Sequence, residues 1–357
     1  MRITFICPFS LERLTGTPIR AKTTMNAAAN LGGVSVIAPT GLSFNPLLRL
    51  EIIGAGRLWH FLSKTLSYLR RSRPDVVHGF TTVSILPALL YKIFCNHRAK
   101  IVFEMHGWTW FETAGQLTFI RRAVLLIFDY LGLWLADVII AMSFSQQEFL
   151  QRRVPWPKLI KVLWGPVDFD VKYEAPPTRE DLIVGYIGND NFWQGLPFVL
   201  GAAQILEKTQ PGLKFVLAGF DAADRKKFPR LVNVEYLGRV EREGVPGFIK
   251  SCGVMVSPRV KGGVSDLQYP HKLSEYLAAG RPVIASAVSD QPRVIKGAQC
   301  GLVVDPLSAE MLAEAIREFS QLPKGESEAM GQGAANFAKE HFVSSSFAAK
   351  LRDLYLI

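Results

Sequence analysis

Short apolar runs alternate with stretches of helical spacing along almost the whole chain. In the first half, runs at Ile3–Cys7, Val34–Ala38, Asp75–Gly79, Lys100–Glu104 and Asp137–Met142 predict strands. Between them the spacing predicts helices over Pro18–Leu31, Trp59–Arg70, Val83–Phe94, Ile120–Leu135 and Ser145–Gln151. Thr17 suits the cap of the first helix, Pro18 its first turn and Gly32-Gly33 its end. Trp164–Pro177, rich in proline and aspartate, breaks the rhythm and reads as an interdomain linker. The alternation then restarts. Strands are expected at Leu182–Ile187, Lys214–Ala218, Val232–Leu237, Gly253–Ser257 and Gly301–Val304, and another after Arg281-Pro282. Helices are expected over Leu196–Leu206, Val245–Ser251, His271–Ala279 and Ala309–Ser320, with a mostly helical remainder. Strand–helix alternation of this kind predicts an α/β chain of two doubly wound parallel sheets. The expected domains are residues 1–165 and 166–340. They would face a central cleft, with ligand at the carboxyl ends of the strands.

A length of 357 residues agrees with two domains, and 49% hydrophobic content is enough for two real cores. The charge is unevenly placed. Residues 1–165 carry 19 Lys and Arg against 8 Asp and Glu, a net +11, whereas residues 166–357 carry 22 against 23. That asymmetry points to an anionic partner for the first half, and a membrane surface suits it. Nucleic acid is not expected, because no helix-turn-helix, finger or aromatic–basic motif is present. Four cysteines (Cys7, Cys95, Cys252, Cys300) stand far apart, which fits a reducing compartment and gives neither a zinc site nor a disulfide framework. The N-terminus enters a strand-like run without the apolar core of a signal peptide. The most apolar segment, Ala123–Ala136, is interrupted by Asp129 and too short to span a bilayer. With Arg121-Arg122 ahead of it, this helix is a candidate to lie on a membrane. A cytoplasmic protein, peripheral at the inner face of the plasma membrane, is the expected setting.

The candidate chemistry gathers in one stretch, Ser257–Ser286. An apolar strand runs into a basic glycine loop holding Arg259, Lys261, Gly262 and Gly263, followed by Val264 and Ser265. Pro270 closes the loop, a helix opens at His271 and Lys272, and Gly280 suits the left-handed position past its end. The N-terminus of that helix favours an anion such as a phosphate. Glu275, one turn in, is placed to accept from sugar hydroxyls. His106 directly follows a strand, so it would face the crevice. Gly16 and Arg20 lie where the first strand meets its helix, in a pattern that is not a dinucleotide fingerprint; Arg20, in the first turn, is placed to face the cleft, and both are counted among the donor-binding candidates. Gly188, Asn189 and Gln194 fall in a polar turn between Gly185 and Gly195 that suits a ligand loop. Asp168-Phe-Asp170 has metal-transferase spacing but sits beside prolines in the linker, and no metal is expected. No Ser/His/Asp triad or nucleophile elbow is present, which leaves covalent hydrolysis unsupported.

Tyr269-Pro-His-Lys-Leu-Ser-Glu-Tyr-Leu-Ala-Ala-Gly-Arg-Pro-Val-Ile-Ala-Ser286 resembles the Pro-x-Lys-Leu-x-Glu-Tyr segment of the retaining glycosyltransferases of family four, which have the GT-B fold of two Rossmann-like domains. His106-Gly107, Ala136–Ser143 and Lys214–Gly219 support the likeness. The resemblance implies transfer of a sugar from a nucleotide diphosphate donor with net retention, no metal and no cofactor beyond the nucleotide-sugar co-substrate. It implies that Glu275 binds the donor ribose, that the Gly262–Ser265 amides and Leu273 belong to the donor site, and that His106 contacts the donor sugar. It also implies that a last helix, about 341–357, packs back onto the first domain. Three positions depart from the pattern. Leu267 stands where a second glutamate is common, Asn189 and Gln194 replace an arginine and a lysine, and the first loop keeps only Gly16. Arg259, Lys261 and Lys272 are then the cations left to hold the diphosphate; Arg259 and Lys272, with His106, are the expected catalytic groups, and Lys261 belongs to the donor site. The acceptor would be a saccharide or polyprenyl-linked molecule in envelope or exopolysaccharide synthesis. A nucleotide-sugar epimerase of the same fold and a non-catalytic sugar-binding relative remain the alternatives.

Overall fold

A computed structural model describes residues 1–12, 16–41, 45–54, 58–175, 182–221 and 224–357. The chain divides into two compact units, Met1–Pro166 with Ser344–Ile357, and Val167–Val343. Pro176 and Pro177, the end of the expected linker, lie outside the described residues.

The first unit carries strands β1 (Arg2–Ile6), β2 (Gly33–Ala38), β3 (Leu48–Ile52), β4 (Val76–Phe80), β5 (Lys100–Met105), β6 (Val138–Ala141) and β7 (Ile160–Val162). Its helices are α1 (Gly16–Ala28), α2 (Leu58–Ser72), α3 (Ile85–Phe94), α4 (Thr109–Glu112), α5 (Phe119–Leu135) and α6 (Phe144–Gln151). The strands form one parallel sheet in the order β3-β2-β1-β4-β5-β6-β7. Every residue of β4 and β6 is buried, as expected of strands covered on both faces. Helix α6 begins where the Ser143 side chain accepts from the Gln146 amide at 2.9 Å. Gly132 in α5 lets the ring of Phe103 approach to where a Cβ would stand 2.3 Å from it. The missing methyl seats α5 tightly on β5.

The second unit carries β8 (Ile183–Ile187), β9 (Lys214–Ala218), β10 (Val234–Gly238), β11 (Val254–Ser257), β12 (Val283–Ser286) and β13 (Gly301–Val304). They form a second parallel sheet, ordered β10-β9-β8-β11-β12-β13. Its helices are α7 (Leu196–Thr209), α8 (Val245–Ser251), α9 (Val264–Leu267), α10 (His271–Ala278), α11 (Gln291–Ala298), α12 (Ala309–Gln321) and α13 (Lys324–His341). A last helix, α14 (Ser344–Leu356), belongs to the first unit. Its Phe347, Leu351, Leu354 and Tyr355 join Ile3, Phe5, Met25 and Val36 in that unit's core. Burial of this kind stabilises by roughly 1.5–3 kcal/mol per large side chain.

Each sheet reverses its winding once, between β1 and β4 and between β8 and β11. A crevice opens beyond the carboxyl ends of the strands at such a point. In the first unit β4 and β5 deliver Thr81 and His106 to that end. In the second, β8 delivers the Gly188–Gly195 loop and β11 the glycine loop from Pro258.

Several elements differ from expectation. Helix α1 already includes Gly16 and Thr17, so Thr17 is a helical residue rather than its cap, and the helix stops at Ala28. The edge strand β3, Leu-Arg-Leu-Glu-Ile, was hidden by its polar alternation, since an edge strand need not be apolar throughout. The three-residue β7 and the eight-residue α11 were too short to show a period. The glycine loop also contains a helical turn, α9, where only loop was expected.

Candidate functional site

In the second unit the two crevice loops are welded together. The Val260 amide donates to the Trp193 carbonyl at 3.0 Å. Gly195 sits at φ 73°, and a Cβ there would meet the Pro258 carbonyl oxygen at 1.6 Å, so only glycine permits the approach. Gly188 is anchored by its amide to Ala218, and Asn189 is exposed, its Oδ1 accepting from the Asn191 amide at 3.2 Å.

Arg259 follows β11 and is 4% exposed. Its backbone is fixed from below: the Ser286 hydroxyl donates to the Arg259 carbonyl at 2.6 Å, and Gln291 donates to Ser286 O at 3.0 Å while its Oε1 accepts from Ser257 Oγ at 2.5 Å. Nε and Nη2 of Arg259, however, are buried without a hydrogen-bond partner. Burial pushes the guanidinium down to about 10, only partly opposed by Tyr186 and Asp266. Lys272, in the first turn of α10, is half-buried over the Tyr186 ring at 4.5 Å and donates to Gln194 Oε1 at 3.1 Å. Burial first, and Arg259 second, push its ammonium down to about 7. Two desolvated cations with few anionic partners make a site organised for an anion.

Glu275, 5% exposed, lies one turn beyond. Arg242 Nη1 donates to its Oε1 at 2.5 Å, and the same guanidinium forks onto Asp168 at 2.9 and 2.5 Å. Burial works against the Arg242 charge, but Glu275 and Asp168 outweigh it and hold the group above its ordinary value. His271 Nε2 stands 3.7 Å from Glu275 Oε1, while Oε2 has no hydrogen bond among the described residues. Gly262 (φ 132°) and Gly263 (φ 49°) take left-handed conformations, and the Gly262 amide donates to Asp266 Oδ1 at 2.9 Å. Val264 is half-buried, and Ser265 Oγ is buried without a partner. Lys261 is exposed. Leu273 is fully buried and offers no side-chain surface to a ligand.

In the first unit a single carboxylate, Glu104, organises the crevice end. It is wholly buried. Arg20 Nε donates to its Oε1 at 3.0 Å, His106 Nε2 stands 2.8 Å from the same oxygen, and His78 Nε2 lies 3.3 Å from Oε2. Burial alone would raise the Glu104 carboxyl; Arg20, His106 and His78 together hold it well below the usual carboxylate range. Arg20 is itself buried, with Nη2 on the Leu163 carbonyl at 2.7 Å and its guanidinium 5.4 Å from the Phe347 ring centre. Its charge is committed to the protein interior. Gly16, at the exposed start of α1, has open space around its Cβ position. His106 lines a small, partly open pocket with Thr81, Thr82, Phe103, Met105, Gly107, Glu112 and Asp129. Thr81 holds φ 62°, ψ 168°, a conformation strained for a β-branched residue. Asp129 accepts from Thr82 Oγ1 at 2.6 Å and the Thr109 amide at 3.0 Å, and burial pushes its carboxyl up to about 6.

The structure thus joins Gln194 to Lys272, sets Lys272 over Tyr186, ties the Gly188–Gly195 loop to the glycine loop through Trp193 and Val260, and places Arg20 and His106 on Glu104. Arg242, Tyr186 and Glu104 escaped the sequence reading, as did the role of Asp168 as a partner of Arg242. Only Asp168 carried a signal, its Asp-x-Asp spacing, and its carboxylate holds an arginine.

Residues 171–337 match the family model described as Glycosyl transferases group 1, and residues 32–171 match that of Glycosyltransferase Family 4. The two matches support a glycosyltransferase of the family-four type. The fold is GT-B. Sucrose-phosphate synthase from Thermosynechococcus elongatus superposes with TM-score 0.81 at 19% identity over 99% of this chain and 98% of that one. Anabaena HepE in complex with UDP-glucose gives TM-score 0.76 at 16% identity over 99% of both chains. WaaG, described as a glycosyltransferase involved in lipopolysaccharide biosynthesis, gives 0.73 at 17% over 99% of both. These identities establish the fold alone. In sequence, the chain is similar to TuaH of Bacillus subtilis (strain 168), named as a candidate teichuronic acid biosynthesis glycosyltransferase, at 27% identity over 137 residues. That match spans 36% of this chain and about a third, 34%, of the relative.

Proposed function

We propose that the chain transfers a sugar from a nucleotide diphosphate donor, without a metal and with retention of configuration, to a saccharide or lipid-linked acceptor in envelope or exopolysaccharide synthesis. One observation carries this reading: a buried Arg259 with two unpartnered nitrogens, beside a desolvated Lys272. A diphosphate would supply the missing acceptors and offset both charges. As it leaves, its growing charge is stabilised by groups already in place, the form of catalysis that costs no reorganisation. Gln194 does not replace the family's lysine as a cation but orients one, by accepting from Lys272. Glu275, steadied by Arg242, keeps Oε2 for ribose hydroxyls. His106 contacts the transferred sugar, the second unit binds the donor and the first takes the acceptor. The leaving diphosphate helps to deprotonate the acceptor hydroxyl.

A membrane partner draws support from the first unit. Phe119, Ile120, Val124, Ile127, Trp134 and Leu135 are exposed along α5, with Arg121 among them and a net +11 over residues 1–165. Such a stripe suits peripheral binding at an anionic inner leaflet. No helix among the described residues is long and apolar enough to cross a membrane.

The deciding experiment is calorimetry against a nucleotide-sugar panel, followed by transfer assays on membranes. A bound donor, sugar transfer by the natural chain and loss of both in Arg259→Ala are expected. A product formed from donor alone would indicate an epimerase, and binding with neither transfer nor hydrolysis a non-catalytic relative.

A further inference from the structure

The Glu104 cluster fixes which nitrogen of His106 is available to a ligand. Glu104 is held ionised, so its oxygens only accept. His106 Nε2, 2.8 Å from Oε1, must therefore be the protonated nitrogen and donate. In the neutral imidazole Nδ1 is then an acceptor. Arg20 already supplies a full positive charge at 3.0 Å from the same oxygen, so a second charge on His106 is not required to balance Glu104.

The ring has little freedom. The Phe80 ring meets it edge-on at 5.7 Å, and His78 stacks on the other side of the array, 4.9 Å from Phe80 and 4.9 Å from Phe5. Behind Glu104, His78 Nε2 approaches Oε2 at 3.3 Å, though not in line for a hydrogen bond. His78 Nδ1 lies 2.7 Å from the Tyr355 hydroxyl on α14. With Nε2–H turned to the carboxylate, His78 accepts at Nδ1 and Tyr355 donates. The protons of Tyr355 and His78 on one side and of His106 on the other then all point toward Glu104, which leaves His106 Nδ1 as the unprotonated nitrogen.

We propose that Glu104 is a positioning residue that locks His106 as the Nε2–H tautomer, backed by His78 and Tyr355, so that His106 meets its ligand only as a hydrogen-bond acceptor through Nδ1. The ligand group it selects is a hydroxyl donor, as a sugar carries, and not a phosphate or carbonyl oxygen. The ligand half of this inference rests on the reading of His106 as a substrate contact; the tautomer half does not.

Nitrogen-15 NMR of the histidine rings tests the tautomer without any assay. Neutral Nε2–H forms of His106 and His78 are expected in the natural chain. In Glu104→Gln, whose amide can donate as well as accept, His106 should show mixed tautomers. There kcat should fall about five- to tenfold, the worth of roughly one well-placed hydrogen bond, with donor KM within about twofold. Should Glu104→Gln not fold, Tyr355→Phe serves: the His78 Nδ1 resonance should shift and kcat fall about threefold. An Nδ1–H tautomer at His106 in the natural chain overturns the proposal, as does a Tyr355→Phe variant with unchanged histidine resonances and unchanged kcat. A locked Nε2–H tautomer in a chain with no measurable transfer would sink the glycosyltransferase reading instead and leave the positioning intact.

Discussion

The two units place charge at the mouth of equivalent sheets in opposite ways. In the first, the Glu104 carboxylate is paired with the Arg20 cation at 3.0 Å and flanked by His106 and His78. In the second, Arg259 and Lys272 have fewer acceptors than donors, and two Arg259 nitrogens have none. A buried charge enclosed by partners serves the protein's own geometry. A buried charge left short of partners costs folding energy, which a ligand is placed to recover. The contrast sets a charge paired within the protein against cations that are not, and it supports the proposed binding site without reference to any relative.

Mutations break the comparison in order of size. Glu104→Gln should be the most damaging to stability, lowering the unfolding free energy by about 3–5 kcal/mol, because it leaves Arg20 buried and unpaired; the denaturant midpoint measures it. Arg259→Met should do the reverse. Donor turnover falls about 100-fold, or roughly 3 kcal/mol, while the ligand-free chain keeps or gains up to about 1 kcal/mol of stability. If Arg259→Met instead destabilises the free chain as Glu104→Gln does, the distinction between the two regions is wrong.

A smaller effect concerns pH. Lys272 is held at about 7 in the folded chain against an ordinary 10.5. Between those values the unfolded chain binds the extra proton, so stability rises with pH from about 7 toward 10; below about 7 the full penalty of a buried charge is present. Lys272→Met should flatten that rise in thermal melts. A diphosphate favours the protonated amine, so its binding takes up a proton above pH 7 and its affinity falls by up to about tenfold per unit. Calorimetry in buffers of different ionisation heat reads the uptake directly. Smallest of all, Arg242→Gln should weaken nucleotide affinity by about five- to tenfold, roughly 1 kcal/mol, by loosening Glu275.

The strands of both sheets were legible because doubly covered strands are apolar runs, as in Val254–Ser257 and Val138–Ala141. Edge strand β3 was not, because one side of it needs no burial. The anion site was legible in part: Lys272, Glu275 and the glycine loop lie within twenty residues of one another and share a motif. Arg242 and Asp168 are 74 positions apart, and nothing in a linear pattern marks such a pair. Arg20 shows the reverse error. A basic residue in the first turn of a crevice helix reads as a ligand contact, and only the position of Glu104, 84 residues away, reveals its buried partner.

Helix α14 also sets an order of events during synthesis. The second unit is one continuous segment, Val167–Val343, and its core needs nothing made later. The first unit begins at Met1 yet takes Phe347, Leu351, Leu354 and Tyr355 into its core. On the ribosome, the half made first is thus the half finished last. Until residues 344–357 emerge, the space they fill beside α1 is an open apolar surface, which a chaperone would have to cover. Any fusion or truncation that delays that helix extends the interval.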